Sequence, residues 1–77
     1  MGKQKEKSGV ENAIAKASSQ AALAAALGVR QQSVSLWLKR GYMPLERAVE
    51  TEHLYGVPRA TLADPRVVAK LDSGSGL

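Results

Sequence analysis

Residues 19–41 constrain the fold of this chain most strongly, because two short helix patterns follow each other there with almost no linker. The first pattern covers residues 20–27 and places its larger apolar side chains on one face, at the three- and four-residue spacing of a helix. Gly28 follows at once, and glycine enters the left-handed conformation that ends a helix without a Cβ clash. A second helix is predicted from Gln31 to about Arg40. The sequence therefore predicts two short helices joined by a sharp turn.

The side-chain sizes in this segment meet the steric demands of two crossing helices. Ala24 is small where the helices would cross, and Gly28 provides the turn four residues later. Val29, Val34 and Trp37 are spaced to wedge the second helix against the first. Because Trp37 shares its face with Val34, we expect it in the core and not stacked on a base. This combination is typical of a helix-turn-helix motif, whose second helix lies in the major groove of DNA.

The outward face of the second helix is polar with one exception. At about 100° per residue, the side chains opposite Val34 and Trp37 can be assigned from the sequence. They are Gln31 at the N-terminal edge, Gln32, Ser35, Leu36 and Lys39. Because Leu36 is apolar, we expect it either to contact DNA or to be buried in a dimer interface.

The rest of the chain carries further helix patterns and no strand pattern. A first helix is predicted over residues 10–17, and a fourth is predicted to begin at Pro44 and to stop at Gly56. The side chains expected to face inward on that fourth helix are Leu45, Ala48, Val49 and Leu54. One turn is expected at residues 59–63, before a short last helix within residues 64–71. We therefore expect an all-α fold, a small bundle of four to five helices.

A chain of 77 residues suits one domain. We predict a flexible basic N-terminal tail at residues 1–9, a helix-turn-helix DNA-binding domain at residues 10–71 and a flexible C-terminal tail at residues 72–77. The lack of cysteine rules out disulfides and suits a reducing cytoplasm. No stretch reaches the roughly 20 apolar residues of a membrane span. We expect a cytoplasmic protein without a membrane partner.

The charge is unevenly distributed. Seven basic and two acidic side chains give residues 1–41 a net charge of +5, whereas four basic and five acidic ones give residues 42–77 a net charge of −1. The first half is therefore expected to face any polyanion. The tail lysines Lys3, Lys5 and Lys7 could form an arm on DNA, but a solvated tail is the favoured interpretation.

Three motifs carry a resemblance to a known family. They are QAALAAALGV, QQSVS and WLKRG, followed by Pro44 and the region of Glu50, Gly56 and Val57. From about Val10 to Leu62 the chain resembles phage repressors and Cro proteins, most closely the YdaS-like, Cro-type prophage regulators. The resemblance implies a lambda repressor/Cro-like helix-turn-helix fold, binding to operator DNA as a homodimer and a role in prophage control. Some relatives of this kind are described as antitoxins.

Four residues are predicted to read bases. The amides of Gln31 and Gln32 can form a bidentate pair with adenine, and in related repressors this opening contacts bases. The Ser35 hydroxyl suits any base edge, and Leu36 suits a thymine methyl group. The alternative is that the two glutamines only solvate an exposed turn.

Five residues are predicted to contact phosphates: Ser19, Gln20, Arg30, Lys39 and Arg40. Ser19 and Gln20 open the first motif helix, where backbone amides favour an anion. The resemblance implies that Gln20 bonds a phosphate and braces the second helix. The three cations flank the reading face, so they would neutralise phosphates and make binding salt-dependent. Solvation alone is the alternative for each.

The sequence offers no arrangement of residues for catalysis, a metal or a cofactor. His53 lacks a cysteine partner, and Glu50 is only its neighbour on a helix. Glu46 and Glu50 share a helix face without a nucleophile nearby. We therefore expect a DNA-binding regulator and not an enzyme. The alternative is an antitoxin or protein-interaction module, with a toxin or another protein as partner and DNA binding secondary.

Overall fold

The structure is a computed structural model that describes residues 8–74, and these residues form helices joined by short turns. The five α-helices and one 3₁₀ helix are α1 (Gly9–Ala17), α2 (Gln20–Leu27), α3 (Gln31–Arg40), α4 (Leu45–Tyr55), the 3₁₀ helix (Arg59–Thr61) and α5 (Pro65–Gly74). Over this range there is no strand, and one isolated bridge joins Met43 to Ala63. The expected all-α fold is confirmed, as are the bounds of α2 and α3.

Helix α1 begins earlier than the sequence predicted. The Ser8 hydroxyl accepts a hydrogen bond from the Glu11 backbone N–H at 3.1 Å, and the Ser8 N–H donates to the Glu11 carboxylate at 3.0 Å. Gly9 is buried against the backbone of Thr61, whose carbonyl oxygen would lie 2.1 Å from an added Cβ. This capping box and this close contact make Ser8 and Gly9 part of the fold, although composition placed residues 1–9 in a tail.

The core lies between α1, α2, α3 and the segment from Met43 to Ala63. The buried apolar side chains are Val10, Ala13, Leu23, Ala24, Leu27, Val34, Trp37, Met43, Ala48, Val57, Leu62 and Ala63. Trp37 is only 5% exposed, so its expected place in the core is confirmed.

Two predictions about helix α4 are wrong. Pro44 is the N-cap and not the first helical residue, so the helix starts at Leu45. Leu54 is 54% exposed, and its predicted inward position is wrong. It lies about 120° around the helix from the buried Ala48. Thr51 takes an inward position instead.

Thr51 is a fully buried polar side chain that the sequence did not predict to lie in the core. Its hydroxyl donates to the Arg47 backbone carbonyl at 2.7 Å and lies 3.5 Å from the Met43 sulfur. Burial therefore leaves no unmet hydrogen bond, which removes most of the usual desolvation penalty.

The last helix is confirmed and is longer than expected. The Asp64 carboxylate accepts a hydrogen bond from the Arg66 N–H at 2.9 Å, and this caps the start of α5. The helix continues to Gly74, over three residues of the segment predicted as a tail. The tail predictions for residues 1–7, including Lys3, Lys5 and Lys7, and for residues 75–77 lie outside the described residues. Between residues 8 and 74 no helix is both long and apolar enough to cross a membrane.

Candidate nucleic-acid interface

Helices α2 and α3 meet at a turn of defined geometry. The Ser19 hydroxyl caps α2 by accepting from the Ala22 N–H at 3.0 Å. At the other end Gly28 has φ of 71°, and the Val29 N–H donates to the Ala24 carbonyl at 3.0 Å. A Cβ on Gly28 would meet no atom within 4 Å, so the backbone conformation and not the available space favours glycine here.

The inner face of α3 is fixed against the core. Val34 is fully buried, Trp37 nearly so, and the half-buried Leu38 packs beside them. From α4, the Arg47 guanidinium donates to the Leu27 carbonyl at the end of α2, at 3.4 Å. These contacts set the position of the motif relative to the rest of the bundle.

The outer face of α3 is open to solvent. All four predicted base-reading residues are exposed there: Gln31, Gln32, Ser35 and Leu36. Leu36 is 49% exposed, so the one apolar residue on this face is not covered within the monomer. The helix therefore presents two amides, a hydroxyl and an aliphatic group together.

A hydrogen bond across the motif joins two residues that were predicted to play different roles. The Ser35 hydroxyl donates to the side-chain carbonyl oxygen of Gln20 at 2.6 Å. Gln20 is the first residue of α2 and is half-buried, whereas Ser35 lies midway along α3 and is exposed. The resemblance implied that Gln20 braces α3, but nothing in the sequence named Ser35 as its partner.

Positive charge lies at both ends of α3. Arg30 is the exposed N-cap residue, and its side chain makes no capping hydrogen bond. Lys39 and Arg40 are exposed in the last turn. Cations at a helix C-terminus also interact favourably with the helix dipole, so these two have a structural role as well.

The C-terminal end of α3 includes a cluster that sequence reasoning missed. The Arg40 guanidinium lies 4.9 Å from the centre of the Tyr42 ring, within range of a cation–π interaction. Nearby, hydrogen bonds from Arg66 hold the pKa of the Asp64 carboxyl below its usual range. The same pair raises the pKa of the Arg66 guanidinium. The only signal of the Asp64–Arg66 pair in the sequence was that Asp64-Pro65 is a typical start of a helix.

A shallow groove of about 300 Å³ lies between α2 and α4. It is lined by Ala26, Leu27, Glu50, His53 and Leu54. None of the residues assigned to bases or phosphates lines it. In the described part of the chain, no group of three or more His, Cys, Asp or Glu side chains could hold a metal ion.

Two comparisons identify the relatives of the chain. A family model described as bacterial toxin YdaS matches residues 10–62. The solved structure of the Cro protein from the putative prophage element Xfaso 1 in Xylella fastidiosa strain Ann-1 is 40% identical in sequence, with a TM-score of 0.68. That match covers 71% of this chain and 88% of the Cro chain. Among curated proteins none matches. The chain therefore belongs to the YdaS family and has the helix-turn-helix fold of a prophage Cro protein.

Proposed function

We propose that this protein is a sequence-specific DNA-binding transcriptional regulator, a prophage repressor of the Cro type. The observation that carries the proposal is the exposed outer face of α3, which is polar but for Leu36 and is flanked by Arg30 at one end and Lys39 and Arg40 at the other. A helix with these properties can enter a major groove while its cations meet phosphates. The Cro relative supports the same function.

Residues at the start and in the middle of α3 read the base sequence of the DNA. Gln31 and Gln32 form bidentate hydrogen bonds with adenine N6 and N7. Ser35 contacts a base edge one turn further along, and Leu36 packs on a thymine methyl group. The exposure of all four side chains supports these roles.

Phosphate contacts set the register of the protein on the duplex. Ser19 and Gln20 bind one phosphate at the start of α2, and Arg30 binds beside the start of α3. Lys39 and Arg40 bind at its end. Each cation releases condensed counterions, so the affinity falls steeply with salt.

The repressor acts as a homodimer on a palindromic operator and needs no cofactor. Two copies place their α3 helices in successive major grooves on one side of the duplex, about 34 Å apart. Operator occupancy is the repressing event.

The test is selection of duplexes from a random pool, followed by fluorescence anisotropy at two salt concentrations. We expect a palindromic site that binds at least about a thousandfold more tightly than scrambled DNA. Asn12→Ala, at an exposed position of α1, is a control that should bind like the wild type. Binding that is equally weak on every sequence and vanishes with salt would refute the proposal.

A second candidate is a protein-interaction module or antitoxin with secondary DNA binding. The groove beside the exposed Leu54 favours it. This candidate predicts a stoichiometric protein partner whose binding is lost in the Leu54→Asp variant but retained in the Gln32→Ala variant. It also predicts that the protein has no sequence-specific DNA binding.

A further inference from the structure

We propose that Gln20 fixes the direction of the Ser35 hydroxyl hydrogen, so that Ser35 accepts a hydrogen bond from a base and does not donate one. Ser35 then selects adenine or cytosine over guanine or thymine at the base it faces. The inference rests on the proposed function and names the specificity of one position within it.

What Ser35 can offer to DNA depends on the hydrogen-bonding capacity of its hydroxyl group. The group has one hydrogen and two acceptor lone pairs. In Ser35 the hydrogen is committed to the Gln20 carbonyl oxygen, at a distance of 2.6 Å. Because Ser35 is exposed, the lone pairs stay open to a ligand at the outer face of α3. Only the accepting side of the group is then offered to DNA.

The direction of this hydrogen is not the local default for a helix. Serine and threonine hydroxyls inside helices commonly donate to the backbone carbonyl four residues earlier. Thr51 does this in α4, where it donates to the Arg47 carbonyl at 2.7 Å. Ser35 instead donates across the motif to Gln20. Gln20, and not the backbone of α3, therefore sets the direction.

Gln20 is itself well placed to keep its carbonyl oxygen towards Ser35. It is half-buried at the start of α2, directly after the capping residue Ser19. Among the described residues its amide nitrogen has no hydrogen-bond partner. A DNA phosphate at that nitrogen would accept from it, and this would leave the oxygen facing Ser35.

In the major groove, the direction of the Ser35 hydroxyl hydrogen determines which bases Ser35 can bind. Adenine N6 and cytosine N4 are donors, whereas guanine O6 and thymine O4 are acceptors. A freely rotating hydroxyl suits both kinds of edge, but a hydroxyl that only accepts would face the lone pairs of guanine or thymine. For one hydrogen bond we expect a preference of roughly three- to tenfold.

The test compares base preferences after selection on random duplexes. Ser35→Ala locates the base pair in question, because its preference there should disappear. At that pair the wild type should favour adenine or cytosine roughly three- to tenfold. Gln20→Met, which has similar length and cannot accept strongly, should reduce this preference, because the freed hydrogen then divides between acceptors on the base and the backbone carbonyl of Gln31. The positions that Gln32 reads should be unchanged. Gln20→Glu should keep the preference, since a carboxylate only accepts, although its charge weakens binding overall. Gln20→Lys donates to Ser35 and should reverse the preference towards guanine or thymine.

One measurement needs no variant at Gln20. Replacing the selected adenine by purine, or the selected cytosine by 2-pyrimidinone, removes the amino donor from the DNA. The wild type should lose roughly three- to tenfold in affinity, and Ser35→Ala should lose nothing. A wild-type preference for guanine or thymine, or an unchanged preference in a folded Gln20→Met protein, would overturn the inference. Failure to select any preferred sequence would instead overturn the proposed function.

Discussion

The Ser35 hydroxyl donates to the Gln20 side-chain carbonyl at 2.6 Å, which joins the first residue of α2 to the middle of α3. The two positions are 15 residues apart in sequence, and the bond lies at the surface. An exposed bond competes with water, so its contribution to folding should be small compared with its effect on what Ser35 offers to DNA.

Ser35→Ala should therefore have little effect on stability. We expect a loss of no more than about 1 kcal/mol in the free energy of unfolding, because alanine also has the higher helix propensity. Urea denaturation followed by the fluorescence of Trp37 measures this change. A loss of several kcal/mol would mean that the bond is structural, and its role in DNA reading would then need another basis.

Gln32→Ala should weaken binding to the selected operator and relax one base position. The expected loss is about 1–3 kcal/mol on the cognate site, the typical discrimination of a bidentate amide. Anisotropy titrations on cognate and scrambled duplexes give both values. An equal loss on the two duplexes would show that Gln32 does not read a base.

Lys39→Ala should weaken binding by a similar factor on every sequence. Removal of one phosphate contact should also lower the slope of log affinity against log salt by about 1. Lys16→Ala is the matched control, because Lys16 is an exposed lysine in the last turn of α1. If both variants change the slope equally, the effect is due to net charge and not to a contact made by α3.

Gly9→Ala should destabilise the fold although it raises helix propensity. The added Cβ would lie 2.1 Å from the Thr61 carbonyl oxygen, so backbone has to move. Overpacking of this kind typically costs about 1–3 kcal/mol. Asn12→Ala, at an exposed site of the same helix, should be neutral or stabilising in the same denaturation assay. A Gly9→Ala protein as stable as the wild type would contradict the close contact.

Two carboxyl groups should make the protein less stable in acid. Hydrogen bonds from Arg59 and Arg66 hold the pKa values of Glu52 and Asp64 below their usual range. Stability from these pairs is fully present above the ordinary pKa values and is lost as the pH falls through the lowered ones. We expect the melting temperature to fall below about pH 4.5.

The matched variant for this pH dependence is Arg59→Gln together with Arg66→Gln. It removes both guanidinium partners, so its melting temperature should fall less steeply with acid. Superimposable pH profiles for the variant and the wild type would show that other carboxyl groups cause the acid sensitivity.

The motif helices could be predicted from sequence because their boundary signals are local. Ser19 caps α2, Gly28 ends it, and Gly41 ends α3, each through contacts within a few residues. The exposed face of α3 follows from helical periodicity once Val34 and Trp37 are assigned to the core. The roles of the residues on that face remain predictions.

Contacts between distant residues could not be predicted in the same way. The early start of α1 depends on a fit between Gly9 and Thr61, and the exposure of Leu54 depends on which face of α4 the other helices cover. Hydrophobicity gave the wrong answer for Leu54 and missed the buried Thr51. The Gln20–Ser35 bond likewise arises only when the two helices cross.

The contact of Gly9 with Thr61 also affects the order of folding. It joins positions near opposite ends of the chain, and closing so long a loop costs entropy that only later contacts repay. Helices α2 and α3 meet through a short turn, so we expect their pairing to form first. Contact between the two distant segments would then complete one cooperative unit, so that fraying of α1 and release of the 3₁₀ turn are expected to occur together.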